Sequence, residues 1–116
     1  MNTLVSAKGD VLVGKNISSF QSMLQNVQVG DTVQHNGDEL SVVTKTFKLK
    51  DFDFLIEISI GEVTLVSEQT VNFEEMLWMI QAGNILVQDG GPRIVREKHF
   101  LKSGAGYSPS IYLMMP

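Results

Sequence analysis

The sequence predicts an α+β domain, antiparallel sheets with two helices, arranged as a pseudo-two-fold tandem repeat of about 53 residues. Three observations point there. Two stretches carry apolar residues at helical spacing, and turn dipeptides separate runs of strand-forming residues. Sliding the chain against itself by 53 residues brings both features into coincidence. Thirteen of the 63 aligned pairs are identical, where about four or five would arise by chance from such a composition. The identities fall on apolar anchors and turn glycines, the positions a duplicated fold must retain. The 116 residues therefore read as one domain, 1–116. Its units are 1–53 and 54–106, with 107–116 a terminal strand.

Each element has a local reason. Leu4–Ala7, Lys8-Gly9 and Asp10–Val13 predict a weaker first copy of a hairpin. Phe20, Met23, Leu24 and Val27 make one helical stripe, Ser18 and Gln21 have capping-box spacing, and Gly30 follows the end. Thr32–His35 and Glu39–Leu49 flank Asn36-Gly37, a dipeptide that favours the tight hairpin turn. Phe54–Ile60 and Val63–Glu68 flank Gly61-Glu62 in the same way. Asn72 and Glu75 repeat the cap before Phe73, Met76, Leu77 and Ile80, and Gly83 stops that helix. Phe20 and Phe73 are expected in equivalent buried positions. Two such sheets, each carrying a helix, are expected to share one core. Ser110–Met115 is a final strand with no partner copy left in the chain. It is expected on the edge of the first unit or against another subunit.

Composition narrows the classes of function. Hydrophobic residues at 43% against 19% charged residues describe a chain with material for a core, not a disordered one. A net charge of −4 disfavours a nucleic-acid binder with a broad basic face. No apolar run approaches the 18 or so residues of a membrane helix, and Met1-Asn2-Thr3 opens no signal peptide. Without cysteine there is no disulfide, thiol nucleophile or thiolate metal site. The expectation is a cytoplasmic protein with no cofactor and no membrane partner.

Catalytic constellations are thin. His35 and His99 have no metal-ligand spacing, Glu74 and Glu75 suit a helix N-terminus, and no serine sits in a nucleophile elbow. The expectation is not an enzyme. The copies differ most where Lys48–Asp53 corresponds to Leu101–Gly106. A candidate site for a small anionic ligand is therefore Arg93, Arg96, His99, Lys102, Ser103, Gly104, Gly106 and Tyr107, with Lys98 in the same basic cluster. Exposed amides of a glycine loop can cradle an anion, and arginine offers it a planar fork. The plainer alternative is a hairpin that needs glycine for positive φ. From Asp51 to Pro92 there is no lysine or arginine, a stretch that suits either a solvated surface or a basic partner.

The second helix differs from the first by being apolar on two sides. Trp78 lies about 140° round from Phe73 and replaces Gln25, and Met79 replaces Asn26. Trp78 and Met79 are candidate interface residues of a homo-oligomer, with cover by Ile111–Pro116 of the same chain as the alternative.

The run Asn72-Phe73-Glu74-Glu75-Met76-Leu77, then Ile80 and Gly83, resembles a short module of small phage proteins, with the pattern Phe-x-x-Ala-Leu-x-x-Leu-x-x-Gly. The second-type anti-Thoeris sponge family is built on it, and Phe20, Met23, Leu24, Val27 and Gly30 match it too. Asp31 and Asn84 stand where that family places basic residues. The resemblance implies a phage-encoded oligomeric trap for a cyclic ADP-ribose signal, working in the host cytoplasm. Two expectations follow. One is a non-catalytic binding protein that blocks a host protein or sequesters a small anionic ligand such as a signalling nucleotide. The other is a structural or assembly protein, an adaptor acting through oligomerisation.

Overall fold

Two seven-residue helices are each opened by a side chain that satisfies a free amide. In the computed structural model, which describes residues 11–115, α1 spans Phe20–Asn26 and α2 spans Phe73–Met79. Ser19, not Ser18, caps α1, its hydroxyl accepting from the Ser22 amide at 3.1 Å. Gln21 instead reaches the backbone of Gln69, donating to its carbonyl at 3.2 Å. Asn72 caps α2 with a full capping box: its side chain accepts from the Glu75 amide at 2.8 Å, and Glu75 accepts from the Asn72 amide at 3.0 Å.

Among the described residues, seven strands follow the turn signals. They are β1 (Thr32–His35), β2 (Asp38–Lys50), β3 (Asp53–Ile60), β4 (Val63–Val66), β5 (Ile85–Gln88), β6 (Gly91–Ser103) and β7 (Gly106–Leu113). Asn36 and Gly37 both take positive φ, 51° and 86°, as the tight turn between β1 and β2 requires. The elements α2, β5, β6 and β7 begin and end 53 residues after α1, β1, β2 and β3. Both long strands carry a register shift, at Val42/Thr44 in β2 and at Val95/Glu97 in β6. Of the predicted first hairpin, residues up to Asp10 lie outside the described residues. Leu12 and Val13 are in no strand.

The strands form one continuous sheet rather than two, and the buried residues of both halves form one core, as expected. The sheet order is β4-β3-β2-β5-β6-β7, with β1 also on β2, and among the described residues every strand pairing is antiparallel except β2 with β5. That parallel junction sets Thr46, Phe47 and Lys48 opposite Ile85, Leu86 and Val87. The expected pseudo-two-fold is corrected by it. A two-fold axis would return the same contact the other way, placing His99–Leu101 on Thr32–Gln34 within this chain. Among the described residues β1 pairs with β2 alone, and β6 pairs only with β5 and β7. The terminal strand is also corrected. It lies along β6, from Ser103↔Gly106 to Val95↔Leu113, because a tight turn makes that the nearest open edge.

Burial is lopsided. Along β3 every second residue is buried (Phe54, Ile56, Ile58, Ile60), whereas β7 has no buried residue. Val42 and Phe47 of β2, Leu86 of β5, Val95 of β6 and Val71 join the β3 residues in the core, with Leu24 and Val27 of the first helical segment and Met76 and Ile80 of the second. Phe20 and Phe73 are both exposed, which corrects the expectation that they anchor it. Each is the first residue of its helix, at the end away from the buried Leu24 and Met76, and Phe73 lies beside Phe54 with ring centroids 6.4 Å apart.

Candidate functional site

The region that distinguishes the two halves of the sheet is built around a lysine–phenylalanine pair. In β2, Lys45 is fully enclosed and donates from Nζ to the carbonyls of Gln25 and Val27, at 3.0 and 2.7 Å. These carbonyls lie at the end of α1, where an α-helix leaves acceptors without partners and its dipole favours a cation. Burial pushes the Lys45 ammonium down from 10.5 to about 8, with the Asp31 carboxylate acting in the opposite direction. Two residues on, Phe47 is buried completely, with the lysine nitrogen 5.5 Å from its ring centre.

In β6, Lys98 donates to the carbonyls of Trp78 and Ile80 at 2.8 and 2.9 Å, and lies 5.4 Å from the ring of Phe100. Its pKa is lowered too, again by burial. Phe100, however, is 52% exposed where Phe47 is enclosed. Its cover is Trp78, 50% exposed, with ring centroids 5.8 Å apart. Met79 is partly buried and packs against the core, whereas Trp78 beside it is exposed. Helical geometry turns the two residues about 100° apart, so one faces solvent while the other meets the sheet.

The other predicted site residues spread along β6 and β7. Arg93 donates from Nε to the Met114 carbonyl at 3.0 Å and lines an apolar groove of about 360 Å³ with Ile85, Ile94 and Met115. Arg96 pairs with Glu97 at 3.4 Å, and His99 lies 3.7 Å from the same carboxylate with its ring 4.8 Å from Tyr112. All three partners are exposed, so these contacts contribute little. Lys102 stands opposite Tyr107, and Ser103 opposite Gly106, at the far end of the hairpin. Arg93 and Ser103 are ten residues apart on one strand, about 33 Å. The arginine and the glycine turn therefore do not meet in one pocket. Gly104 has φ +60°, the value Asp51 takes at the equivalent turn, and Gly106 has no positive φ. The turn between β6 and β7 is thus a two-residue hairpin, as is the one between β2 and β3.

The enclosed lysine is the feature that residue-type reasoning passed over. Its signal was available: Lys45 and Phe47 recur as Lys98 and Phe100 after 53 residues, yet a lysine in a strand reads by default as solvated. No group of three or more His, Cys, Asp or Glu among the described residues is placed to hold a metal ion. No described helix is long and apolar enough to cross a membrane. The fold and this surface define a mostly antiparallel α+β protein with an incompletely covered sheet end. The chain matches no protein-family model, and no curated protein and no solved structure matches it.

Proposed function

We propose that this chain is two successive copies of one unit of about 53 residues, and that it acts as a non-catalytic assembly protein through self-association. One observation carries the reading. Phe47 and Phe100 follow lysines that make the same pair of helix-end hydrogen bonds, yet the first is enclosed and the second is half exposed. Trp78 and Phe100 together leave aromatic surface in water that an interface would remove, and tryptophan is enriched at interface centres. Lys45, its ammonium pushed down to about 8 by burial, binds helix carbonyls and is enclosed.

Sedimentation of the wild-type chain at tens of micromolar tests the reading, with Trp78→Gln as the matched change because Gln25 holds that place in the first unit. A mass above the monomer, reduced in the variant, is expected. A wild type that remains strictly monomeric overturns it.

A further inference from the structure

We infer that the chain assembles head to tail, the β1 edge of one copy adding in parallel to the open edge of β6 in the next; this rests on the assembly reading above. The internal junction between β2 and β5 is the template. There the C-terminal half of β2 receives β5 in parallel, through Thr46↔Ile85, Phe47↔Leu86 and Lys48↔Val87. Adding 53 to the first members and subtracting 53 from the second gives His99↔Thr32, Phe100↔Val33 and Leu101↔Gln34.

Both edges of that translated junction are open. Among the described residues, β1 pairs with β2 only, and β6 beyond Ile94 pairs with β7 only. The exposed backbone groups of one edge match those of the other, because β5 already makes this parallel pairing to β2. An edge with unpaired amides is a template for another strand.

Side chains and charge agree. Phe100 and Leu101 are exposed on β6, whereas Phe47 at the corresponding place of the filled junction is enclosed. Beyond Ile94, β6 carries Arg96, Lys98 and Lys102 against the single carboxylate of Glu97. The strand that would meet it, β1, is preceded by Asp31 and followed by Asp38 and Glu39 at the start of β2, with no lysine or arginine from 31 to 39. Opposite signs on the two edges favour β6 meeting β1 over either edge meeting itself. The same translation carries the β3–β4 pairs Ile58↔Leu65 and Glu57↔Val66 onto Ile111↔Leu12 and Ser110↔Val13. Leu12 and Val13 are exposed apolar residues. One copy's residues 12–34 thus cover the second unit of its neighbour, as β4, α2 and β5 cover the first unit within the chain. The contact is heterologous, so it builds a ring or a filament and not a two-fold dimer.

The absence of cysteine makes a clean test. Gln34→Cys and Leu101→Cys are prepared as separate single-thiol variants. Both positions are exposed, and paired residues on neighbouring strands lie within disulfide reach. Circular-dichroism melts check that each variant folds. Under mild oxidation, the mixture is expected to give a disulfide-linked heterodimer, while each variant alone gives little dimer. Equal dimer from Leu101→Cys alone overturns the inference in favour of β6 meeting itself. No heterodimer, with a wild-type mass above the monomer, overturns this junction and leaves self-association standing. A monomeric wild type overturns both.

Discussion

Lys45 closes the end of the first helix: its ammonium lies 2.7 Å from the carbonyl oxygen of Val27, with its own side chain wholly removed from solvent. The helix is only seven residues long, too short to be stable by its own hydrogen bonds. A cation on its last carbonyls ties it to the strand beneath. Lys98 repeats the tie to α2 from a less buried position.

Lys45→Met keeps the apolar stem and removes the donor, leaving buried acceptors without a partner. The change is expected to cost about 2–3 kcal/mol. Lys98→Met, whose acceptors are nearer to water, is expected to cost about half as much. Urea unfolding of the two variants checks the order; equal costs would contradict the difference in enclosure.

The lowered Lys45 pKa gives stability a defined pH dependence. The folded value is about 8 against 10.5 when unfolded, so between those values the unfolded chain binds more protons. Stability linked to this group therefore rises as pH climbs from about 8 to 10.5. Unfolding at pH 7.5 and 9.5 should show the wild type gaining relative to Lys45→Met. A parallel response in both would place the lysine's titration elsewhere.

Phe47→Ala opens a cavity in a closed core and is expected to cost about 3–5 kcal/mol. Phe100→Ala, losing mainly its contact with Trp78, is expected to cost the monomer about 1 kcal/mol. Phe20→Ala and Phe73→Ala fall with the second, since both rings are exposed. Thermal melts in dilute solution distinguish the two groups.

The helix caps differ in completeness. Asn72→Ala removes one half of a reciprocal pair and is expected to cost about 1 kcal/mol or somewhat more, exceeding Ser19→Ala. Chemical denaturation of the matched pair measures it, and a larger loss at Ser19 would refute the ranking.

Arg96→Ala is expected to leave stability within about 0.5 kcal/mol, because its partner Glu97 is equally solvated. Arg93→Ala releases the Met114 carbonyl and should loosen the C-terminal segment without unfolding the sheet. Amide exchange at residues 113–115 reads that difference; unchanged protection there would show that the arginine does not hold the segment.

Local chemistry made much of the fold legible. Asn36-Gly37 specifies its turn through positive φ, Asn72 and Glu75 specify a helix start, and alternation along Phe54–Ile60 specifies which face is buried. These depend on residues within a few positions of each other, so the sequence by itself determined two helices and a mostly antiparallel set of strands. The candidate ligand site was less legible. Sequence proximity grouped Arg93 with the Ser103–Tyr107 turn, but an extended strand spreads ten residues over about 33 Å and separates them. Only the tertiary structure decided that β5 joins β2 in parallel, that Lys45 is enclosed, and that Phe100 is left half uncovered where Phe47 is not. Those outcomes depend on which edge meets which, and on how many strands and helices are left to cover the end of the sheet. An edge pairing contributes through backbone groups common to every residue type, so side-chain identity alone leaves its choice open.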